Sequence, residues 1–182
     1  PVGKYPYLFL MGDAVERIPI LMVAIGPKSA QLAGRIADAV VLHTFMSDEA
    51  VARSVASIRR AAEEAGRDPD AVRVWACTAV VEDAIPEEIR LRKTVGRLAT
   101  YLQGYGDILV KTNGWDQADL QRFRSDELVT GYSGAFDQVG TTEQLEYLRD
   151  KVIPAHWLAA SITGSARSCA AQVRDQFGAT GV

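Results

Sequence analysis

The sequence has little of what metal or disulfide chemistry requires. Its 182 residues include only two histidines and two cysteines, Cys77 and Cys169, and these cysteines lack the C-x-x-C spacing of a metal site. Two cysteines are too few for a disulfide framework, so a reducing, cytosolic setting is expected. A metal-dependent hydrolase needs several His, Asp and Glu ligands and is poorly supported, and no metal site is predicted.

Excess positive charge and long apolar runs are also lacking. The chain has 20 Lys and Arg against 23 Asp and Glu, for a net charge of -3. Nucleic acid and anionic membranes require clustered cations, so neither is expected as a partner. No apolar run reaches the roughly 18 residues that span a bilayer. A composition of 48% hydrophobic and 24% charged residues is instead typical of a globular protein with a buried core.

Apolar, β-rich segments alternate with segments of helical period. This order builds a parallel sheet through right-handed crossovers, so the sequence is predicted to be α/β. The predicted strands cover residues 18–25 (IPILMVAI), 40–45 (VVLHTF) and 72–81 (VRVWACTAVV). The first is a continuous apolar run, as in a strand that is covered on both faces.

The first two helices are predicted from their starts and their apolar faces. Pro27 suits the first turn of a helix in which Leu32 and Ile36 face inward. Ser47 can cap the second helix, which ends at Gly66. Its apolar stripe comprises Val51, Val55, Ile58, Ala62 and Ala65.

The later helices are predicted from the same signals. Pro86 opens a helix that Gly104 and Gly106 close, and Asp116 caps a short polar helix within the weakly patterned residues 105–139. Thr141 and Gln144 form a capping box for the next helix. The last predicted helix covers residues 165–177, with Ala166, Ala170, Val173 and Phe177 facing inward.

The whole chain, residues 1–182, is expected to be one domain that forms part of a larger barrel or sheet. Three strands standing alone would leave exposed apolar edges. The closing GATGV after a helix is the usual lead into another parallel strand, and a complete eightfold barrel needs about 250 residues. A small self-contained α/β domain is the alternative.

The segment VAIGPKSAQLAGRIAD, residues 23–38, carries the clearest functional signal. A strand that runs through Gly-Pro into a helix places free N–H groups and the positive helix end at the carboxyl edge of the sheet, which suits a phosphate. Gly26 permits close approach, and Lys28 and Ser29 add a cation and a hydroxyl. The segment matches neither phosphate-loop pattern, so a plain tight turn with a solvated Lys28 is the alternative.

Residues 18–45 resemble the luciferase-like monooxygenase superfamily, whose members have a strand, A-x-G-P, a helix with L-A-G-x-x-A-D-G, and a further strand. The match continues through AGRDP at residues 65–69 and the terminal ITGSARSCAAQVRDQFGATGV. More narrowly, the chain resembles the actinobacterial oxidoreductases that depend on the deazaflavin coenzyme F420. It departs from the motif at Ala39, where the family usually has Gly, and at Ile25, where some members have Gly.

The resemblance implies part of a TIM barrel that lacks the N-terminal strands and the last strand. It implies hydride transfer between F420 and a small organic substrate, with Ile25, Gly26, Lys28 and Ser29 at the cofactor-binding turn. An FMN-dependent monooxygenase is one alternative, and a non-catalytic fragment that binds a phosphate or a partner is another. The family's early strands supply its proton-transfer residues, so no catalytic residue is assigned. A homodimer is left open.

His43 and Thr44 are predicted substrate contacts. They end the second strand, and residues at the carboxyl ends of barrel strands face the active site. The resemblance supports this, because the matching positions in sugar-phosphate-oxidising members line the substrate site. The alternative is a histidine that bonds to a neighbouring loop.

Other notable side chains receive structural or open interpretations. Cys77 is predicted to be a small core residue within a strand. The aromatic residue of PAHW, residues 154–157, is expected to pack on a loop. Tyr105, Lys111 and Trp115 could form a lid or a partner surface.

Overall fold

A computed structural model describes residues 18–182 of the chain. The strands in this part are β1 (Leu21–Ala24), β2 (Ala39–Leu42), β3 (Arg73–Ala76), β4 (Val80–Glu82) and β5 (Ile162–Gly164). The helices are α1 (Pro27–Ile36), α2 (Asp48–Glu64), α3 (Glu87–Leu91), α4 (Arg97–Asn113), α5 (Gln117–Ser125), α6 (Glu127–Thr130), α7 (Phe136–Val139), α8 (Thr142–Tyr147), α9 (Ala155–Leu158) and α10 (Ala166–Thr180).

The strands form two parallel sheets, which confirms the predicted α/β class. One sheet has the order β1-β2-β3, and the other pairs β4 with β5. The single strand predicted for residues 72–81 is wrong, because β3 pairs with β2 whereas β4 pairs with β5. Strand β5 was not predicted, because its three residues are too few for an alternating pattern.

The face of α1 that packs inward differs from the predicted one. Leu32 and Ile36 are exposed, whereas Ala30, Ala33 and Gly34 are buried. The reason is the close approach of α1 to α2: a Cβ on Gly34 would collide with the carbonyl oxygen of Ile58. Only small residues fit at such a contact, and these do not register as a hydrophobic stripe. The predicted stripe of α2 is confirmed except at Ala65, which lies exposed beyond the helix.

The predicted helix end at Gly104 and Gly106 is also wrong. A π-helical turn, Arg92–Gly96, joins α3 to α4, and α4 extends to Asn113. The helix is broken at Tyr105, where φ is -148° and ψ is 34°. Gly106 serves packing rather than termination, since a Cβ there would lie 2.8 Å from Leu120 Cδ1.

Two predicted caps are confirmed, and the inward face of the last helix is not. Asp116 accepts a hydrogen bond from Ala118 N at 2.8 Å, and α8 begins with the predicted capping box. In α10 the exposed Phe177 contradicts the prediction, and the buried residues are Cys169, Gln176 and Thr180. Gln176 bonds to Thr78 and Asp48, so polar contacts orient this helix, and hydrophobic periodicity cannot detect them.

The core consists of two hydrophobic clusters. One belongs to the sheet region (residues 21–76, from β1 to β3) and is built mainly from Ala and Val. The other belongs to the helical region (residues 87–158, from α3 to α9) and contains most of the large buried side chains. Phe45 joins the helical cluster, although its neighbour Met46 joins the sheet cluster. The chain between β2 and α2 therefore connects both cores.

Two further observations concern the surface. Cys77 is exposed and follows β3, so its prediction as a core residue is wrong. Across residues 18–182, no helix has both the length and the apolar character needed to cross a membrane.

Candidate functional site

The predicted site residues lie at the carboxyl edge of the three-stranded sheet. Ala24 is in register with Leu42, and Leu42 with Ala76. Ile25 and His43 therefore leave adjacent strands at the same level. The second half of α4 lies across both strand ends, because Thr112 Oγ1 donates to Ile25 O at 3.2 Å and Tyr105 contacts His43. The fold thus brings the predicted phosphate turn and the predicted substrate contacts to one edge.

The turn at Gly26 presents an uncapped helix end. Pro27 is at the first position of α1, and within the described part of the chain no side chain caps this helix. The first backbone hydrogen bond of α1 is donated by Ala30 N to Gly26 O. The N–H groups of Lys28 and Ser29 come before Ala30, so they have no acceptor within the helix. Lys28 is exposed. The Ser29 hydroxyl donates to Gly26 O at 2.9 Å, so its proton is already engaged.

A side chain of α4 lies against this turn. An added Cβ on Gly26 would be 2.6 Å from Ile108 Cδ1 and 3.1 Å from Ile108 Cγ1. A ligand that approaches this face of Gly26 must therefore displace Ile108. The atoms in the way are the outer atoms of a partly exposed side chain, and a change of rotamer would move them.

A cavity of about 220 Å³ adjoins the first turn of α1. Its lining includes Pro27, Lys111 and Arg53. Arg53 Nη2 donates to Thr112 O at 2.9 Å, so this guanidinium also binds the C-terminal end of α4. Two cations beside an uncapped helix start are a combination that fits an anionic group, but Gly26, Lys28 and Ser29 are not among the residues that line this cavity. A phosphate at the free N–H groups of the turn would therefore lie outside the cavity, and on the Cβ side of Gly26 it would require Ile108 to move.

His43 has both ring nitrogens engaged. Its Nδ1 lies 3.0 Å from Thr44 O, and its Nε2 lies 2.9 Å from the Tyr105 hydroxyl. A carbonyl oxygen only accepts, so Nδ1 must carry the proton. Nε2 of the neutral ring is then the acceptor, and the Tyr105 hydroxyl is the donor. The bond to Thr44 O stays within the loop that carries His43, and the second bond comes from α4.

Two tyrosines enclose this imidazole. The ring of His43 is edge-on to Tyr101 at 4.8 Å and to Tyr105 at 5.1 Å between centroids. Burial raises the pKa of Tyr105 far above its ordinary value, and the neighbouring Tyr101 adds to the shift. The phenol therefore remains protonated at neutral pH, as its role of donor to His43 requires.

Asn113 holds the loop that carries His43 and Thr44. Its Nδ2 donates to Phe45 O at 3.0 Å, and its Oδ1 accepts from Ser47 N at 2.7 Å. From the sequence, Tyr105 was predicted only as part of a lid or a partner surface, and no role was predicted for Tyr101 or Asn113. Asn113 lies within the weakly patterned residues 105–139, and no signal in the sequence pointed to its contact with the loop.

Trp115 and Trp157 pack against each other. Trp115 stacks on the fully buried Trp157 at 4.9 Å between ring centroids. This confirms the expected packing role for residues 154–157. In the part of the chain that the structure covers, no three His, Cys, Asp or Glu residues are grouped so that they could hold a metal ion.

Known proteins resemble this chain in sequence and in fold. A 5,10-methylenetetrahydromethanopterin reductase of Methanolobus tindarius is 35% identical over 119 residues, which cover 64% of this chain and 34% of the reductase. The structure of a coenzyme F420 dependent tetrahydromethanopterin reductase from Methanopyrus kandleri superposes with a TM-score of 0.62 and 21% identity, and the match covers 89% of this chain and 42% of the reductase chain. The structure of an F420-dependent secondary alcohol dehydrogenase, in complex with an F420-acetone adduct, superposes with a TM-score of 0.56 and 15% identity. That match covers 95% of this chain and 44% of the dehydrogenase chain.

These matches define the fold and the family. The chain spans less than half the length of each of these three proteins. At such low identities the two solved structures show the fold alone, which is part of a luciferase-like TIM barrel, as predicted. The family model described as Luciferase-like monooxygenase matches residues 4–182. The chain therefore belongs to the luciferase-like monooxygenase family.

Proposed function

We propose that this chain contributes the phosphate-binding turn and part of the substrate site to an F420-dependent oxidoreductase. The reaction is hydride transfer between the deazaflavin and a small organic substrate. The observation that carries the proposal is the shared edge: the turn at Gly26 and the loop at His43 leave neighbouring parallel strands at one level. Relatives whose names include F420 dependence support this cofactor over FMN. When bound, the deazaflavin supplies the hydride chemistry.

The proposed cofactor contacts are those of the turn. The N–H groups of Lys28 and Ser29 bind the phosphate at the positive end of α1, and the Lys28 ammonium adds charge. Gly26 and Ile25 form the surface over which the phosphate lies. Ser29 contributes its backbone rather than its hydroxyl, because that hydroxyl already donates to Gly26 O.

The proposed substrate contacts are those of the loop after β2. His43 and Thr44 line the substrate site, with Tyr105 behind the imidazole. Because both nitrogens of His43 are engaged, hydrogen bonds to a substrate would come from its neighbours, and the Tyr105 oxygen, which donates to Nε2, is one acceptor among them. A substrate hydroxyl could donate to this oxygen. The partner is therefore a small polar molecule, and a cytoplasmic setting remains the accompanying prediction.

Equilibrium titration with F420 and with FMN tests the cofactor. The fluorescence of each cofactor is followed as protein is added, and F420 is expected to bind at least about tenfold more tightly, a difference of about 1.4 kcal/mol. Tighter binding of FMN would favour the flavin-dependent alternative. Binding of neither cofactor, but of inorganic phosphate, would favour a non-catalytic phosphate-binding role.

A pair of variants tests the turn itself. Gly26→Val is expected to abolish F420 binding, but a side chain at Gly26 also collides with Ile108. The double variant Gly26→Val, Ile108→Ala removes that collision. It should still fail to bind F420, and Ile108→Ala alone should bind at least as well as the unaltered protein. Gly178→Ala, at a helical glycine whose Cβ would meet no atom within 4 Å, is the matched control. Recovery of binding in the double variant would show that the phosphate does not lie at Gly26.

A further inference from the structure

The loop between β2 and α2 (residues 43–47) contains a conformation that its sequence does not favour. Phe45 has a φ of 61°, and it is the only residue other than glycine with a positive φ among residues 18–182. Bulky side chains rarely occupy this left-handed region. Such strain persists only where the surrounding contacts enforce it, and it is concentrated at functional sites. The loop therefore requires a source of constraint.

Packing supplies one part of this constraint. Phe45 is 1% exposed within the cluster of the helical region, and Met46 is 3% exposed within the cluster of the sheet region. Two consecutive side chains thus enter different cores. The left-handed residue reverses the chain sharply enough for both to be buried.

Asn113 supplies the other part. Its side chain bridges the strained residue, since Nδ2 donates to Phe45 O at 3.0 Å and Oδ1 accepts from Ser47 N at 2.7 Å. Nδ2 also donates to Leu109 O at 3.0 Å, so both amide protons are used. Asn113 is 8% exposed, and it is distant in sequence from the loop that it holds. A buried amide with every donor engaged is an effective constraint, because losing it would leave backbone groups without partners.

Tyr105 binds the same loop from the opposite end of the second half of α4. The stretch of α4 after the break runs from Gly106 to Asn113, and Tyr105 precedes it. Through its bond to His43 Nε2, Tyr105 fixes the imidazole, while Asn113 fixes the backbone beyond it. Both ends of this helical stretch therefore bind the loop.

We propose that Asn113 is a positioning residue for the substrate site. It maintains the left-handed turn at Phe45, and thereby keeps Thr44 O in place as the acceptor that fixes His43 in the Nδ1–H tautomer. The inference rests on the proposed substrate role of His43 and Thr44. Its direct test requires no cofactor or substrate, so it can fail or succeed independently of the proposed function.

Nuclear magnetic resonance of the ¹⁵N-labelled protein provides this test. The chain has two histidines, so the ring nitrogens of His43 can be assigned against those of His156. In Asn113→Ala, hydrogen exchange of the Ser47 amide should rise at least about fivefold, the loss expected for one hydrogen bond. The His43 Nδ1 and Nε2 shifts should also converge, as the tautomers mix.

Asn113→Asp separates the two functions of the amide. At a pH at which the new carboxyl group is ionised, it still accepts from Ser47 N but cannot donate to Phe45 O or Leu109 O. Exchange at Ser47 should therefore remain within about twofold of the unaltered protein, whereas the His43 shifts should still converge. If Asn113→Ala does not fold, Asn113→Leu takes its place with the same expected changes, because leucine keeps the buried volume but makes none of the hydrogen bonds.

Gln144→Ala is the control for general destabilisation. It breaks the capping box of α8, which has no hydrogen bond to the loop. It should leave Ser47 exchange and the His43 shifts unchanged. Unchanged His43 shifts in both Asn113 variants, or the same changes in Gln144→Ala, would overturn the proposal.

Discussion

The sheet region and the helical region are stabilised by opposite kinds of packing. In the sheet region, α1 approaches α2 so closely that Gly34 has no room for a Cβ. In the helical region, large side chains such as Phe123, Phe136 and Trp157 fill the space between short helices. The first core should therefore be sensitive to added atoms and the second to removed atoms. The candidate site lies where these two regions meet, which is why one loop must serve both cores.

The largest expected effect is the loss of a ring from the helical region. Phe123 is fully buried in α5, so Phe123→Ala should lower the free energy of unfolding by about 3–5 kcal/mol. Phe177→Ala is the matched control, because Phe177 is 48% exposed in α10. Its loss should cost no more than about 0.5 kcal/mol. Urea denaturation measures both values, and equal losses would contradict the assignment of Phe123 and Phe177 to core and surface.

An added methyl group should break the sheet region. In Gly34→Ala the new Cβ meets the Ile58 carbonyl oxygen and the Ala61 side chain, which forces α1 and α2 apart. The expected loss is about 1–3 kcal/mol. Gly178→Ala should instead gain up to about 1 kcal/mol, since the site is open and alanine favours helix. A gain at both positions, measured by thermal unfolding, would contradict the close contact.

Alkaline pH should weaken the junction between the regions. Burial raises the pKa of Tyr105 in the folded protein, so the unfolded chain loses this proton first as pH rises above about 10. The free energy of unfolding then falls as pH rises from the unfolded toward the folded pKa, because the unfolded chain has released a proton that the folded protein retains. Tyr105→Phe should show a shallower fall between pH 9.5 and 11. Parallel curves for the two proteins would show that Tyr105 ionises normally.

The smallest effect should come from the start of α2. Ser47 Oγ accepts from Ala50 N at 3.3 Å, and Ser47→Ala should cost about 1 kcal/mol. The backbone bond from Ser47 N to Asn113 does not involve this hydroxyl and should persist. Urea denaturation measures the cost, and hydrogen exchange at residue 47 shows whether the bond persists. A loss above about 2 kcal/mol would indicate that the hydroxyl also supports the loop.

Structural features that depend on residues close together in the chain could be predicted from the sequence. The caps at Ser47, Asp116 and Thr141 and the turn at Gly26 depend on neighbouring residues, and the structure contains each of them. The inward faces of α1 and α10 depend on contacts with other elements. In α1, the buried face consists of small residues and not of the expected large apolar ones, because α2 lies so close. In α10, the buried face includes Gln176, which forms hydrogen bonds with other elements.

The candidate site also has parts that could be predicted from the sequence and parts that could not. The turn and the end of β2 were found because a strand, a Gly-Pro pair and a helix follow one another in the chain. The bond from Tyr105 to His43 spans 62 residues and that from Asn113 to Phe45 spans 68. Such pairings arise only when α4 lies across the sheet edge, and no local pattern encodes them.

The central claim is that the amides at the start of α1 bind the cofactor's phosphate, and a titration of ¹⁵N-labelled protein with F420 tests it most directly. The account predicts that the backbone amide signals of Gly26, Lys28 and Ser29 shift most and saturate together, with smaller shifts at His43 and Thr44. Saturable shifts confined to other surfaces, with these amides unmoved, would contradict it.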